Sequence, residues 1–253
     1  MPELLVELFS EEIPARMQSK AANDFATAMT VKLGSKDLTF KELKAYVTPR
    51  RLTLVVSGLP EAQPDITEEK RGPKVDAPER AIRGFLDANG VSRGQCAERE
   101  TDKGIFLFAE IRKTGRTTHS VLAELLGELI STFPWRKSMR WGNGEMRWVR
   151  SLQRILCLFN GHTVDITTKN NVPSGNLTSG HRFLKPDTFS VSNFDDYKDK
   201  LRSARVILDP EERKSIIVSA AQKVADKRGL ALYSDPGLLD EVAGLVEWPQ
   251  ILT

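Results

Sequence analysis

Residues 134–160 read PWRKSMRWGNGEMRWVRSLQRILCLFN. The first seventeen of them place three tryptophans, at 135, 141 and 148, among five basic side chains: Arg136, Lys137, Arg140, Arg147 and Arg150. Taken as a helix over 147–160, the stretch puts Arg147, Arg150 and Arg154 on one stripe at i, i+3 and i+7. Val149, Leu152, Ile155, Leu156 and Phe159 then supply the buried face. One side packs and the other carries three guanidiniums, whose planar forks suit phosphate. Gly142-Asn143-Gly144 reads as a turn that tolerates positive φ. It has neither the third glycine of a dinucleotide fingerprint nor the Gly-Lys-Ser/Thr of a phosphate loop.

The charge around this stretch is uneven. The whole chain of 253 residues carries a formal +3, yet between 136 and 185 nine Lys and Arg face only Glu145 and Asp165. Such a local field acts on a polyanion, whereas the total charge mainly affects solubility. With 40% hydrophobic and 28% charged residues the chain has globular composition, and its length allows one large domain or two ordinary ones. The opening MPELLVELFSEE has no basic region before an apolar run, and no 18-residue apolar stretch occurs, so a cytoplasmic location without membrane contact is expected. Cys96 and Cys157 are far apart and read as structural. His119, His162 and His181 lack a second ligand type at metal spacing, so no metal site is expected. Glu11 and Glu12, beside Pro14, read as first-turn residues of a helix, where its dipole favours acids.

Working outward, residues 3–9 read as a buried strand, 13–33 as a helix, and 44–48 and 51–56 as two strands joined at Pro49. Four prolines between 59 and 79 read as an exposed irregular connection. A helix over 79–89, a strand over 104–111, a helix over 118–132 and a strand over 162–166 follow, and then a polar loop over 170–183. Ser192 is placed to cap a helix to about 203, and 205–208 reads as a short strand. Asp209-Pro210-Glu211-Glu212 opens a helix to about 227 with cap, N1 proline and first-turn acids in order. The fold class expected is α+β, with mixed strands and helices in two subdomains. The first takes 1–58 and about 79–185, with the basic Trp/Arg segment at 134–154; the second takes about 186–253; and 59–78 forms the connection. The apolar run 245–253 stops without a turn or polar tail and reads as a truncation.

Several blocks carry a family pattern in order: Leu4 to Pro14 (LLVELFSEEIP), Thr48-Pro49-Arg50-Arg51-Leu52, Thr101-Asp102-Lys103-Gly104, residues 133–150, Thr178-Ser179-Gly180-His181-Arg182-Phe183-Leu184, and residues 241–249. Together they resemble the β subunit of bacterial heterotetrameric glycyl-tRNA synthetase. The resemblance implies a part of an α2β2 glycine–tRNA ligase of class II, which uses ATP and Mg through the separate α subunit. It also implies that HD-like and anticodon-binding regions lie beyond residue 253. Two positions depart from the pattern: Ala15 stands where a second proline is frequent, and Ser179 where arginine is frequent.

The function expected is therefore that of the N-terminal part of such a subunit, inactive alone, which binds tRNA(Gly) and assembles with the α subunit. No catalytic residue and no cofactor is assigned to it. The RNA-contact candidates are Arg136, Lys137, Arg140, Arg147, Arg150 and Arg154, with His181 and Arg182 second. The alternative is a protein–protein interaction module whose Trp/Arg segment anchors a partner, since Trp and Arg also dominate interface hot spots. A small-molecule enzyme is a third reading, and it needs a pocket with convergent polar groups.

Overall fold

The computed structural model describes residues 2–251, so residues 252 and 253 of the terminal apolar run lie outside the described residues. The chain opens with strand β1 (Glu3–Ser10), helix α1 (Ala15–Gly34) and strands β2 (Glu42–Val47) and β3 (Arg51–Ser57). Next come β4 (Ile66–Lys74), α2 (Glu79–Asn89), β5 (Cys96–Thr101), β6 (Gly104–Lys113), α3 (Thr118–Ser131) and β7 (Leu152–Phe159). Short strands β8 (His162–Thr163), β9 (Ser174–Gly175), β10 (Leu177–Ser179) and β11 (Thr188–Ser190) precede α4 (Phe194–Ser203), α5 (Pro210–Lys227) and α6 (Pro236–Ala243). The fold class is α+β, as the sequence suggests.

The division of the chain differs from expectation. One compact unit takes Met1–Glu61 with Thr117–Thr253, and the other takes Ala62–Arg116, in place of boundaries at 58, 79 and 186. Residues 59–78 are not an irregular connection, because they contain β4, which pairs with β6 in the three-stranded sheet β4-β6-β5 of the smaller unit. Proline is confined there to the strand's irregular end: the register shifts between Arg71 and Lys74, around Pro73. Leu107 and Ala109 of β6 and Ile82 of α2 are that unit's buried apolar residues.

The larger unit is built on a sheet of order β2-β3-β1-β7-β8, antiparallel along this path, with β9 added in parallel to β7. Its central strand β1 is buried on both faces, which explains why its apolar residues run nearly unbroken. Register sets Leu4, Val6 and Leu8 beside Val56, Leu54 and Leu52 on one side and beside Phe159, Cys157 and Ile155 on the other. This face packs in one cluster with Phe25, Met29 and Leu33 of α1 and with the apolar side of α3. The opposite face buries Leu5, Val55, Leu156 and Leu158 with Tyr197 and Leu201 of α4 and Val206 and Leu208 after it.

That second face also carries charge. Glu7 lies opposite Thr53, and Arg51 opposite Phe9; all but Phe9 are fully inaccessible and Phe9 is nearly so. Arg51 Nε lies 3.1 Å from Glu7 Oε2, and its guanidinium also reaches Glu247 and the Ser179 carbonyl. Thr178 and Tyr197 donate to the two oxygens of Glu7 at 2.6 and 2.5 Å, and Thr48 donates to Glu247 at 2.6 Å. Nearby, the buried Arg213 donates to the carbonyls of Val47, Ile207, Leu208 and Ala243. Burial lowers its pKa to about 10. Hydrogen bonding to four carbonyls satisfies a cation without a carboxylate contact.

Glu247 supplies a pH test of this cluster. Burial pushes its carboxyl up, but the Arg51 charge and the Thr48 and Arg51 hydrogen bonds outweigh burial and hold it below the ordinary 4.5. A carboxyl depressed in the folded state stabilises fully above its unfolded value and loses that contribution as pH falls through the lower folded value. The stability gap between wild type and Glu247→Gln should therefore be constant near neutrality and narrow below about pH 4.5. Urea midpoints measured from pH 7 to 3 check this; a gap independent of pH would contradict it.

Two local expectations are corrected. No acid occupies the first turn of α1, which starts at Ala15 behind Pro14, so Glu11 and Glu12 lie before the helix. Glu11 instead pairs with Arg182 at 3.0 Å and accepts from Gln153. Residues 205–208 are not a strand: Arg205 has φ of 61°, a left-handed turn after α4, and the chain then runs directly to α5. The α5 start is as expected, with Asp209 accepting from the Glu211 amide at 2.9 Å. The α4 cap is Asn193 and not Ser192.

Candidate nucleic-acid interface

The segment read as a helix over 147–160 is a strand in its second half and irregular before it. β7 spans Leu152–Phe159 and pairs with β1 from end to end, with one register shift that leaves Gln153 without a partner on β1. A short apolar run fits helix and buried strand equally by periodicity, and here the partner strand decides. Arg147, Arg150 and Arg154 consequently form no stripe. Arg154 points to the Arg51 face of the sheet, half-buried, and donates to Ser179 Oγ at 3.3 Å.

Upstream, the chain makes a small excursion closed by one antiparallel bridge, Met139 to Trp148, with amide–carbonyl distances of 2.8 and 3.1 Å. Gly142, at φ 57°, makes the turn at its tip, as the Gly-Asn-Gly reading requires. Gly144 is pinned against Asn170, whose Oδ1 accepts from the Met146 amide at 2.9 Å; a Cβ at 144 would meet that oxygen at 2.0 Å. Met146, Trp148 and Val149 are buried in the main core, so the excursion is anchored at its returning end. The tryptophans differ accordingly. Trp148 is fully buried, while Trp135 and Trp141 are half-buried and pack against the same core.

The cations stay outside. Arg136, Lys137, Arg140, Arg147 and Arg150 are exposed, and among the described residues none is ion-paired with a carboxylate. They are not equally free. Arg147 donates to Ser138 Oγ and to its carbonyl at 3.1 and 3.2 Å, across the bridge, and Arg150 donates to the Val149 carbonyl at 2.8 Å. Among the described residues Arg136, Lys137 and Arg140 have no such commitment. The structure adds Arg16 and Lys20 of α1, which line a cavity of about 480 Å³ together with Arg136, Lys137 and Arg150. The helical spacing of Arg16 and Lys20 carries no sign that a loop more than a hundred residues later would pack beside them.

The second-choice candidates belong to the loop after β10, which Arg182 ties to Glu11. His181 Nδ1 accepts the amides of Phe183 and Leu184, both at 3.2 Å, and so shapes its own loop. Burial, aided by the nearby Arg51 and Arg50 charges and opposed by Glu247, lowers its pKa. The ring is thus mainly neutral at pH 7 and offers little attraction to an anion. Arg182 is already paired with Glu11 at 3.0 Å. Gly180 of the same loop has no room for a side chain, since a Cβ there would stand 2.2 Å from the Lys185 carbonyl. The Thr48–Leu52, Thr178–Leu184 and 241–249 blocks therefore converge through Thr48, Arg51, Thr178, the Ser179 carbonyl and Glu247 on the buried cluster, a structural joint.

Among the described residues, no three His, Cys, Asp or Glu side chains converge as metal ligands, and no helix is long and apolar enough to cross a membrane. Comparison with known proteins covers the whole chain. The sequence pattern of the family described as Glycyl-tRNA synthetase beta subunit matches residues 4–253. The chain is 48% identical to the glycine–tRNA ligase beta subunit of Rhodospirillum centenum, over 100% of this chain and 39% of that protein. It is 50% identical to that of a Ruegeria species, over 100% and 37%, and 51% identical to that of Dinoroseobacter shibae, over 98% and 35%. It thus spans less than two fifths of the length of these relatives. The agreement from residue 4 onward, through every block that builds the central sheet and the cationic excursion, means that the chain belongs to the glycyl-tRNA synthetase beta subunit family.

Proposed function

We propose that this chain contributes to tRNA(Gly) binding and to assembly with the catalytic α subunit of a cytoplasmic α2β2 glycine–tRNA ligase of class II. ATP and Mg are used through the α subunit, and this chain alone does not aminoacylate. The observation that carries the RNA reading is the excursion over 134–150: five exposed cations, none held by a carboxylate, on a loop anchored in the core by Trp148. Cations free of acidic partners can exchange their counterions for phosphates, and this exchange dominates affinity for nucleic acid. The interaction-module alternative has less support, because Trp148, which anchors the segment, is fully buried and not available to a partner.

The test is tRNA(Gly) binding by the 253-residue chain across ionic strength. Combined Arg136→Glu, Lys137→Glu and Arg140→Glu substitution should weaken binding at least about tenfold and lower the slope of log K against log salt by about 2 to 3, as expected for three lost phosphate contacts. Combined Arg147→Gln and Arg150→Gln should cost less, because both guanidiniums already spend donors on the protein. Equal binding by wild type and the triple variant would refute the reading.

A further inference from the structure

The cavity between the start of α1 and residues 133–137 combines two kinds of wall. Pro14, Met17, Ala21, Phe133, Pro134 and Trp135 make it apolar, and cationic side chains surround that floor. Its single acid, Asp24, is neutralised by Lys20 at 2.8 Å, so Arg16, Arg136, Lys137 and Arg150 are uncompensated. All four are exposed. The first turn of α1, which contributes Arg16 and Met17, carries no acid and no side-chain cap, so the positive end of a 20-residue helix adds to the same field.

The aromatic wall is held in place from behind. The Phe133 and Trp135 rings are 4.9 Å apart, and each lies within 5.3 Å of Trp148, which is fully buried; Phe133 also meets the buried Phe25 edge-on at 6.1 Å. A wall backed this way loses little freedom when a ligand arrives. The volume, about 480 Å³, is in the range of ligand pockets. A bare anion would make no use of the apolar floor, and an apolar peptide would leave four cations unanswered. A planar ring attached to a phosphate answers both.

We infer that this cavity receives one unstacked nucleotide of a bound RNA, its base against Trp135, which the buried Phe133 backs, and its phosphates at Arg16, Arg136, Lys137 and Arg150. The inference rests on the tRNA-binding reading above and names the part of the RNA that enters. Only a single-stranded end, loop or bulge can present such a base, since a duplex keeps its bases stacked. The lining has no unpaired carboxylate or amide side chain to read a Watson–Crick edge, so the pocket tolerates different bases.

Three measurements on the 253-residue chain test it. With 5-fluorotryptophan incorporated, AMP should shift the Trp135 resonance, identified by its loss in Trp135→Leu, and inorganic phosphate at equal concentration should shift it less. Trp135→Leu should weaken tRNA(Gly) binding by roughly 5- to 150-fold with an unchanged salt slope, the loss expected for one stacked base. Arg16→Glu, exposed on the first turn of α1 and remote from the 134–154 segment only in sequence, should weaken both AMP and tRNA binding and needs no change in the core. Several outcomes overturn the inference: equal shifts by phosphate and AMP, or AMP binding with tRNA affinity unmoved by Arg16→Glu. Normal tRNA binding by Trp135→Leu and Arg16→Glu, with loss only in the Arg136/Lys137/Arg140 variant, sinks the pocket and leaves the tRNA reading intact. Absence of tRNA binding by wild type sinks both.

Discussion

Arg51→Met is expected to destabilise the larger unit by about 3–5 kcal/mol, the cost of stranding buried charge by removal of one partner. Among the described residues Arg51 is the one cation in ion-pair contact with both Glu7 and Glu247, and all three are buried. Thr178, Tyr197 and Thr48 would still donate to these carboxylates, but neutral donors cannot balance two buried negative charges. Arg51→Lys should recover only part of the loss, because a single ammonium cannot reach Glu7, Glu247 and the Ser179 carbonyl together. All four tryptophans, at 135, 141, 148 and 248, lie in the larger unit, so fluorescence-detected urea unfolding reports on it selectively. With a urea m-value of about 2 kcal/mol/M, the midpoint should fall by about 1.5–2.5 M. A fall under about 0.5 M would mean that the joint between the sheet and residue 247 contributes little.

Trp148→Ala is the second large effect, also about 3–5 kcal/mol, because it opens a cavity in the main core. It should act on binding as well as on stability. The Trp148 indole is the rear contact of Phe133 and Trp135 and packs in the core beside the backbone bridge that closes the cationic excursion. Trp148→Phe separates the two roles. The indole Nε1 has no hydrogen-bond partner among the described residues, so this change loses volume and no hydrogen bond, at about 2 kcal/mol. Under conditions where both variants remain folded, Trp148→Phe should bind tRNA(Gly) within a few-fold of wild type and Trp148→Ala should not. Unfolding midpoints and binding isotherms on the same preparations check this. Wild-type affinity in folded Trp148→Ala would mean that the excursion does not need its anchor.

Much of the architecture is legible without the fold because it depends on local signals. β1 announces itself by an apolar run too short for a helix, and β3 by branched residues. The start of α5 follows from Asp209, Pro210 and two acids, and the turn at Gly142 from the residue that tolerates its φ. β4 is hidden by its charges and by Pro73, since it is an exposed strand with few apolar residues to reveal it. The 147–160 segment failed for the opposite reason. It has apolar residues enough to satisfy either period, and pairing with β1, about 150 residues earlier, selects the strand.

The residue types of the candidate site, its excess of cations and its family were determined by the sequence alone, for charge and motif order survive in one dimension. Tertiary structure decided which residues are free to act. Glu7, Arg51, Thr178 and Glu247 are withdrawn into a buried joint because burial demands that each charge find its partner. Trp148 is core and Trp135 is wall because the first turns inward at the returning end of the excursion and the second lines the cavity at its start. Arg16 joins Arg136 and Lys137 because helix packing brings together side chains that no sequence period relates.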